Sequence, residues 1–202
     1  MTDTDIILEI QRCLDMEASA IRKLKYDLIE ETLLATAKAL MNCKGKIIIS
    51  GCGTSAMAAR KVAHSLSCIE IPAIFLSPSD AVHGALGVLQ QEDILILISK
   101  GGNTTELVNL IPSCKAKKSL LIGVSENPES TIAKQADLYL KIKVEQEPCR
   151  FNMLATASTL AVIATFDAIC LALMLMTDYS REQFAVIHPA GAVGERLLGN
   201  RK

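Results

Sequence analysis

Residues 46–55 read KIIISGCGTS, and residues 94–106 read ILILISKGGNTTE. Each begins with a short, unbroken apolar run rich in β-branched residues. That is the pattern of a parallel strand covered on both faces, rather than one with a wet side. Each run ends in glycine and hydroxyl residues at the start of a helix-like segment, Ser55–Leu66 after the first and Thr104–Ala116 after the second. Three further runs of strand type are Ala73–Leu76, Leu120–Val124 and Leu138–Val144, with a short helix expected over Ser130–Gln135. Strand and helix alternating at this spacing predict an α/β fold, a three-layer αβα sandwich with a central parallel five-stranded sheet.

On either side of this core the period changes. Residues 5–41 contain neither Pro nor Gly and repeat apolar residues every three or four positions, from Ile6, Ile7 and Ile10 to Ala37 and Leu40, which predicts one long helix. Met153–Met176 is an apolar helix with Asp167 inside it, and a short segment over Ser180–Phe184 and a last helix from about Gly191 follow. A mid-segment Asp costs roughly 2.5–3.5 kcal/mol on membrane-insertion scales, so a helix buried in a domain or an oligomer is the expectation and Asp167 is expected to have a helix partner. No linker or repeat interrupts the chain, and a single domain over 1–202 is expected, with its α/β core over about 42–198.

Composition narrows the function. The chain has 202 residues and a net charge of −1, from 21 Lys+Arg against 22 Asp+Glu, with 3% aromatic residues and no Trp. There is no basic excess to neutralise a nucleic-acid backbone and no aromatic platform for base stacking. Seven cysteines without CxxC spacing predict reduced thiols in a cytoplasmic protein, not a zinc site or disulfide framework. Residues 1–5 are polar and acidic, unlike a secretion signal.

In open parallel sheets ligands sit beyond the carboxyl ends of the strands. There the backbone N–H groups of a glycine turn and a helix start favour an anion, and hydroxyls complete the cage. Gly53, Thr54 and Ser55 in the first loop, and Ser99, Lys100, Gly101, Asn103 and Thr104 in the second, are therefore the candidate phosphate ligands. Ala56 stands where a third glycine would complete a dinucleotide fingerprint, neither loop is a Walker A sequence, and no acidic residue closes the second strand as a ribose partner. The phosphate is expected on something smaller than a dinucleotide.

These two loops, with Ala81-Val82-His83-Gly84-Ala85-Leu86-Gly87, residues 144–149 around Glu147, and His188-Pro189-Ala190-Gly191, resemble the sugar isomerase (SIS) domain family. Within it they are most similar to the D-arabinose 5-phosphate isomerases of Kdo biosynthesis. The resemblance implies interconversion of D-ribulose 5-phosphate and D-arabinose 5-phosphate through an enediol, without a cofactor. It implies Glu106, Glu147, His188 and His83 as catalytic residues, with Glu147 as base and His188 or His83 assisting ring opening. It also implies a homo-oligomer, dimer or tetramer, in which the late histidine serves a neighbour's site. Many members continue into two CBS repeats, and this chain, ending at Lys202, is expected to lack them.

Two departures stand out. The family's first-loop Lys is Thr54 here, which leaves a Gly-Cys-Gly-Thr-Ser like that of the wider SIS pattern, and Lys100 stands where Asn is usual and is expected to restore part of the lost charge. Ser77 precedes Pro78 where many members have His at a metal position, so no metal site is expected. Two alternatives remain open: a non-catalytic sugar-phosphate sensor, and an SIS enzyme acting on another phosphosugar.

Overall fold

The computed structural model describes residues 1–190 and Gly194. The expected final helix from Gly191 lies outside the described residues. Five strands, β1 (Ile47–Gly51), β2 (Ala73–Phe75), β3 (Ile94–Ile98), β4 (Leu120–Ser125) and β5 (Leu138–Lys141), form one wholly parallel sheet in the order β2-β1-β3-β4-β5. β1 and β3 are buried along their whole length, as their unbroken apolar runs require. Ile47 and Ile49 join one core layer and Ile48 the other.

The first layer consists of α1 (Asp3–Asp27), α2 (Glu30–Asn42), α3 (Thr54–Ser67) and α8 (Ala157–Met176). The opposite layer is α4 (Pro78–Ala81), α5 (Thr105–Val108), α6 (Ile111–Lys117) and α7 (Thr131–Gln135). A further helix, α9 (Arg181–Ile187), follows α8. The αβα sandwich agrees with the sequence expectation.

Several boundaries differ from it, four of them for a clear local reason. The expected helix over 5–41 is two helices, because Leu28 and Ile29 are extended. Leu28 and Leu33 turn into the core there, and Glu30 and Glu31 start a new helix at its favourable positive end. The helix over 104–116 breaks after Val108, because Pro112 has no N–H to continue the ladder and is accommodated in a first turn. β5 stops at Lys141, opposite Ser125, where its partner β4 ends. The apolar helix begins at Ala157 rather than Met153, because side chains draw off the preceding amides. Cys149 Sγ accepts from Met153 and Leu154, and Glu147 accepts from Thr156.

α8 is long and apolar enough to cross a membrane by length and composition alone. Here it packs against α1, α2 and α3, and its Asp167 is paired with Lys61 and Ser65 of α3 as expected. Much of α1 has no such cover: Ile6, Ile7, Ile10 and Leu14 are all about half exposed.

Candidate functional site

The strand order reverses direction between β1 and β3. From β1 the chain moves outward to β2, and from β3 it moves the other way to β4 and β5. Loops leaving the carboxyl ends of these two neighbours therefore part company and open a crevice, the topological switch point of a parallel sheet. Gly51 at the end of β1 pairs with Ile98 at the end of β3, so the two loops singled out in the sequence sit side by side there.

The first loop turns at Gly53, with φ +57° and ψ −130°, a conformation that side chains rarely adopt. The turn aims the start of the 14-residue α3 into the crevice, with Thr54 and Ser55 on its first turn. The second loop is built around the buried Ser99. Its Oγ accepts from Gly102 N at 3.0 Å and lies 2.8 Å from Thr104 Oγ1. Gly102 has φ +71°, and a side chain there would run into Ser130.

Together the loops wall a narrow cleft open to solvent. Thr54, Ser55, Ser99 and Lys100 line it as the sequence predicted. Ser125, Ser158 and Thr159 line it too, and sequence reasoning missed their role. Ser125 is the last residue of β4 and so belongs to the same row of strand ends. Ser158 and Thr159 come from the first turn of α8, whose N-terminus meets the cleft along with that of α3. Two hydroxyls opening a helix that follows a glutamate were the available signal.

The other predicted phosphate ligands are not among the lining residues. Thr104 stands behind Ser99, and Gly53 shapes its turn from outside. Gly101 is exposed, and the Asn103 side-chain Oδ1 accepts from Thr131 N at 2.8 Å, which ties the loop to α7.

Behind the cleft lies Glu147, its side chain fully buried. Lys100 Nζ donates to Oε1 at 2.7 Å, while Thr156 N and Ser158 N donate to Oε2 at 3.0 and 3.3 Å. The carboxylate thus occupies the positive end of α8. Burial pushes its pKa up. The bonds from Lys100, Ser158 and Thr156 outweigh that and hold it below the usual carboxylate value. Glu147 N donates to Asn152 Oδ1 at 2.6 Å, and Arg12 of α1 donates to Pro148 O at 2.6 Å, so the loop that carries it is pinned from both sides.

Glu106 is exposed on α5, near enough to Cys52 that its charge adds to the effect of burial in raising that thiol. Glu106 is not among the residues that line the cleft. The histidines are placed differently. His83 is exposed in the turn after α4, beyond the end of edge strand β2, and its backbone N donates to Asp80 O. His188 caps α9, where its Nδ1 is 2.9 Å from Phe184 O and its ring stacks on Phe184. Gln183 of α9 donates to Glu70, and Tyr179 to Cys68 O, in the turn between α3 and β2. That turn lies at the end of the sheet opposite the cleft. One chain therefore joins Lys100 to Glu147, whereas among the described residues the ring of His188 contacts Phe184 of its own helix. Among the described residues no group of three His, Cys, Asp or Glu side chains is placed to hold a metal ion.

The SIS domain family matches residues 40–187. Among curated relatives, arabinose 5-phosphate isomerase KdsD of Yersinia pestis is 39% identical over 84% of this chain and 52% of its own. Arabinose 5-phosphate isomerase KpsF of Escherichia coli O6:H1 is 35% identical over 97% of this chain and 60% of its own. The chain thus spans about half to three fifths of the length of the curated relatives it matches. Among solved structures, a candidate sugar-phosphate isomerase from Listeria monocytogenes is 58% identical with a TM-score of 0.93, over 94% of this chain and all of that one. A protein of E. coli CFT073, solved in complex with arabinose 5-phosphate, is 31% identical with a TM-score of 0.89 over the same shares.

Proposed function

Because the chain belongs to the SIS domain family, we propose that it is an aldose–ketose isomerase that interconverts D-ribulose 5-phosphate and D-arabinose 5-phosphate in the cytoplasm, as a step of Kdo biosynthesis. The observation that carries this reading is the pairing of a hydroxyl-lined anion cradle with a buried carboxylate–ammonium pair at one switch-point cleft. The names of the relatives and the arabinose 5-phosphate complex of a structural neighbour support the substrate.

In this reading Thr54, Ser55 and Ser99 hold the phosphate with the first amides of α3. Gly53, Gly101, Asn103 and Thr104 act indirectly, through the shape and anchoring of the two loops. Glu147 is the base. It takes a proton from C1 of the ketose, the C–H electron pair becomes the C1–C2 double bond, and the C2 oxygen gains the charge. Lys100 stabilises that oxygen in place of the family's first-loop lysine. Return of the proton to C2, with transfer of the O1 proton to O2, gives the aldose, and no oxidant or cofactor is consumed.

Glu106 serves as a second carboxylate for proton transfer between the oxygens. His188, serving a neighbouring copy, or His83 assists ring opening. The anchoring of α9 at the far end of the sheet supports that assignment for His188, and the exposed apolar residues of α1 support assembly into a dimer or tetramer.

The test is proton NMR of the chain with ribulose 5-phosphate in deuterated water. Exchange at C1 and C2 with arabinose 5-phosphate appearing is the expected result. Binding without exchange would support a sugar-phosphate sensor instead, and neither binding nor exchange would refute the phosphosugar reading.

A further inference from the structure

Lys100 is the one charged side chain among the described residues that line the cleft. An anionic ligand entering there meets a single ammonium group, and that group is already bonded to Glu147. The two halves of the pair are not equally fixed. Glu147 is fully buried, and its second oxygen is held independently by two backbone amides of α8. The Lys100 side chain is 35% exposed and borders the cleft, while its backbone is tied down by the bond from Glu126 N to Lys100 O. Glu147 therefore stays in place without Lys100, and Lys100 has both the room and the flexible stem to turn toward a ligand. While it stays on Oε1, that oxygen is covered by the ammonium of a residue that itself lines the cleft.

From this asymmetry we infer that substrate exchanges the Lys100 ammonium from Glu147 to its own oxygens at the reacting carbons, so that the ligand itself uncovers the carboxylate. The inference rests on the phosphosugar reading above and adds a sequence of events to it. Before substrate arrives the ammonium keeps the carboxylate masked and ionised. In the occupied site the same ammonium faces the oxygen where charge develops, and Oε1 is open. The depressed pKa of Glu147 while Lys100 is bonded to it accords with this order, because loss of that bond leaves a more basic group.

Affinity of the full chain for arabinitol 5-phosphate, an analogue that cannot isomerise, tests the exchange. If Lys100 must leave Glu147 to bind the ligand, E147Q removes its competitor and binding tightens by roughly tenfold, the worth of one charge-assisted hydrogen bond. K100Q then weakens binding by a similar factor, and the double variant matches K100Q. Affinity for inorganic phosphate is expected to be unchanged in E147Q. A pair that serves only to support the loop predicts the opposite sign, with both single variants binding more weakly.

Unchanged or weaker analogue binding by folded E147Q would overturn the inference, and so would equal tightening for inorganic phosphate. If E147Q does not fold, the crystal structure of the unmodified chain with the analogue decides. A Lys100–Glu147 separation beyond hydrogen-bond reach supports the exchange, and retention of the 2.7 Å contact overturns it. Failure of the unmodified chain to bind the analogue would defeat the phosphosugar reading itself, a result distinct from binding with the pair intact.

Discussion

Replacement of Gly102 by alanine tests how the second cleft loop is held. The residue has φ +71°, and a Cβ there would lie 2.1 Å from Ser130 Oγ, 2.5 Å from Ser130 Cβ and 3.0 Å from Ser125 Oγ. An L-residue in the left-handed region costs about 1–2 kcal/mol. Ser130 must also move, although its hydroxyl caps α7 by accepting from Ala133 N, and loss of such a cap costs about 1 kcal/mol. The sum is roughly 2–3 kcal/mol. At about 2–4 °C per kcal/mol for a chain of this size, Tm falls by roughly 4–12 °C. Ser125 lines the cleft, so affinity for the sugar phosphate weakens as well. The control is Gly101→Ala, where a Cβ meets nothing within 4 Å and φ is not positive; its cost is expected to stay within about 0.5 kcal/mol. Thermal unfolding followed by circular dichroism reads both variants. Equal Tm values for the two would refute the reasoning that steric contact with Ser130 fixes the loop.

The remaining predictions concern the two acids, the cradle and the thiols. Glu147→Gln is expected to lower kcat by about a hundredfold to ten-thousandfold, the usual contribution of a positioned base, and a loss under threefold in the isomerase assay would exclude it from that role. Ser55→Ala removes a hydroxyl from the phosphate cradle and is expected to raise KM about tenfold with little change in kcat, as initial rates will show. Burial works to raise the pKa of Asp93, but its bonds from the Lys46 side chain and from the amides of Lys46 and Gln90 outweigh this and leave it lowered. A depressed carboxylate stabilises the fold above its unfolded pKa and less as pH falls through the folded one, so denaturation midpoints should decline below about pH 4 and Asp93→Asn should flatten that decline. Amide hydrogen bonds from Met153 and Leu154 lower the Cys149 thiol, whereas burial pushes Cys114 and Cys170 up to about 11. Mass spectrometry after brief alkylation should find Cys149 modified well before the other two.

The fold was legible where burial and local chemistry agree. Ile47–Ile49 and Ile94–Ile98 have no polar face to offer water, so a parallel sheet was the one economical home for them. The helix breaks were harder to see. Nothing in Leu28-Ile29 forbids a helix, and the break there comes from packing against the core, whereas Pro112 was a visible signal at the other. In the site, Thr54, Ser55, Ser99 and Lys100 could be found from strand ends alone. Ser158 and Thr159 could not, because their role depends on where α8 meets the sheet, more than a hundred residues after the first loop. Asn103 looked like a ligand because it sits in a glycine-rich loop, yet its side-chain Oδ1 is committed to α7. The partnership of Lys100 with Glu147 joins residues 47 positions apart and was likewise invisible in the sequence.

The most direct measurement is the crystal structure of the chain bound to arabinose 5-phosphate. The phosphate is expected between Ser55 and Ser99, on the first amides of α3, with C1 and C2 toward Lys100 and Glu147. A sugar phosphate seated anywhere else, with the β1–β3 cleft left to solvent, would contradict the assignment.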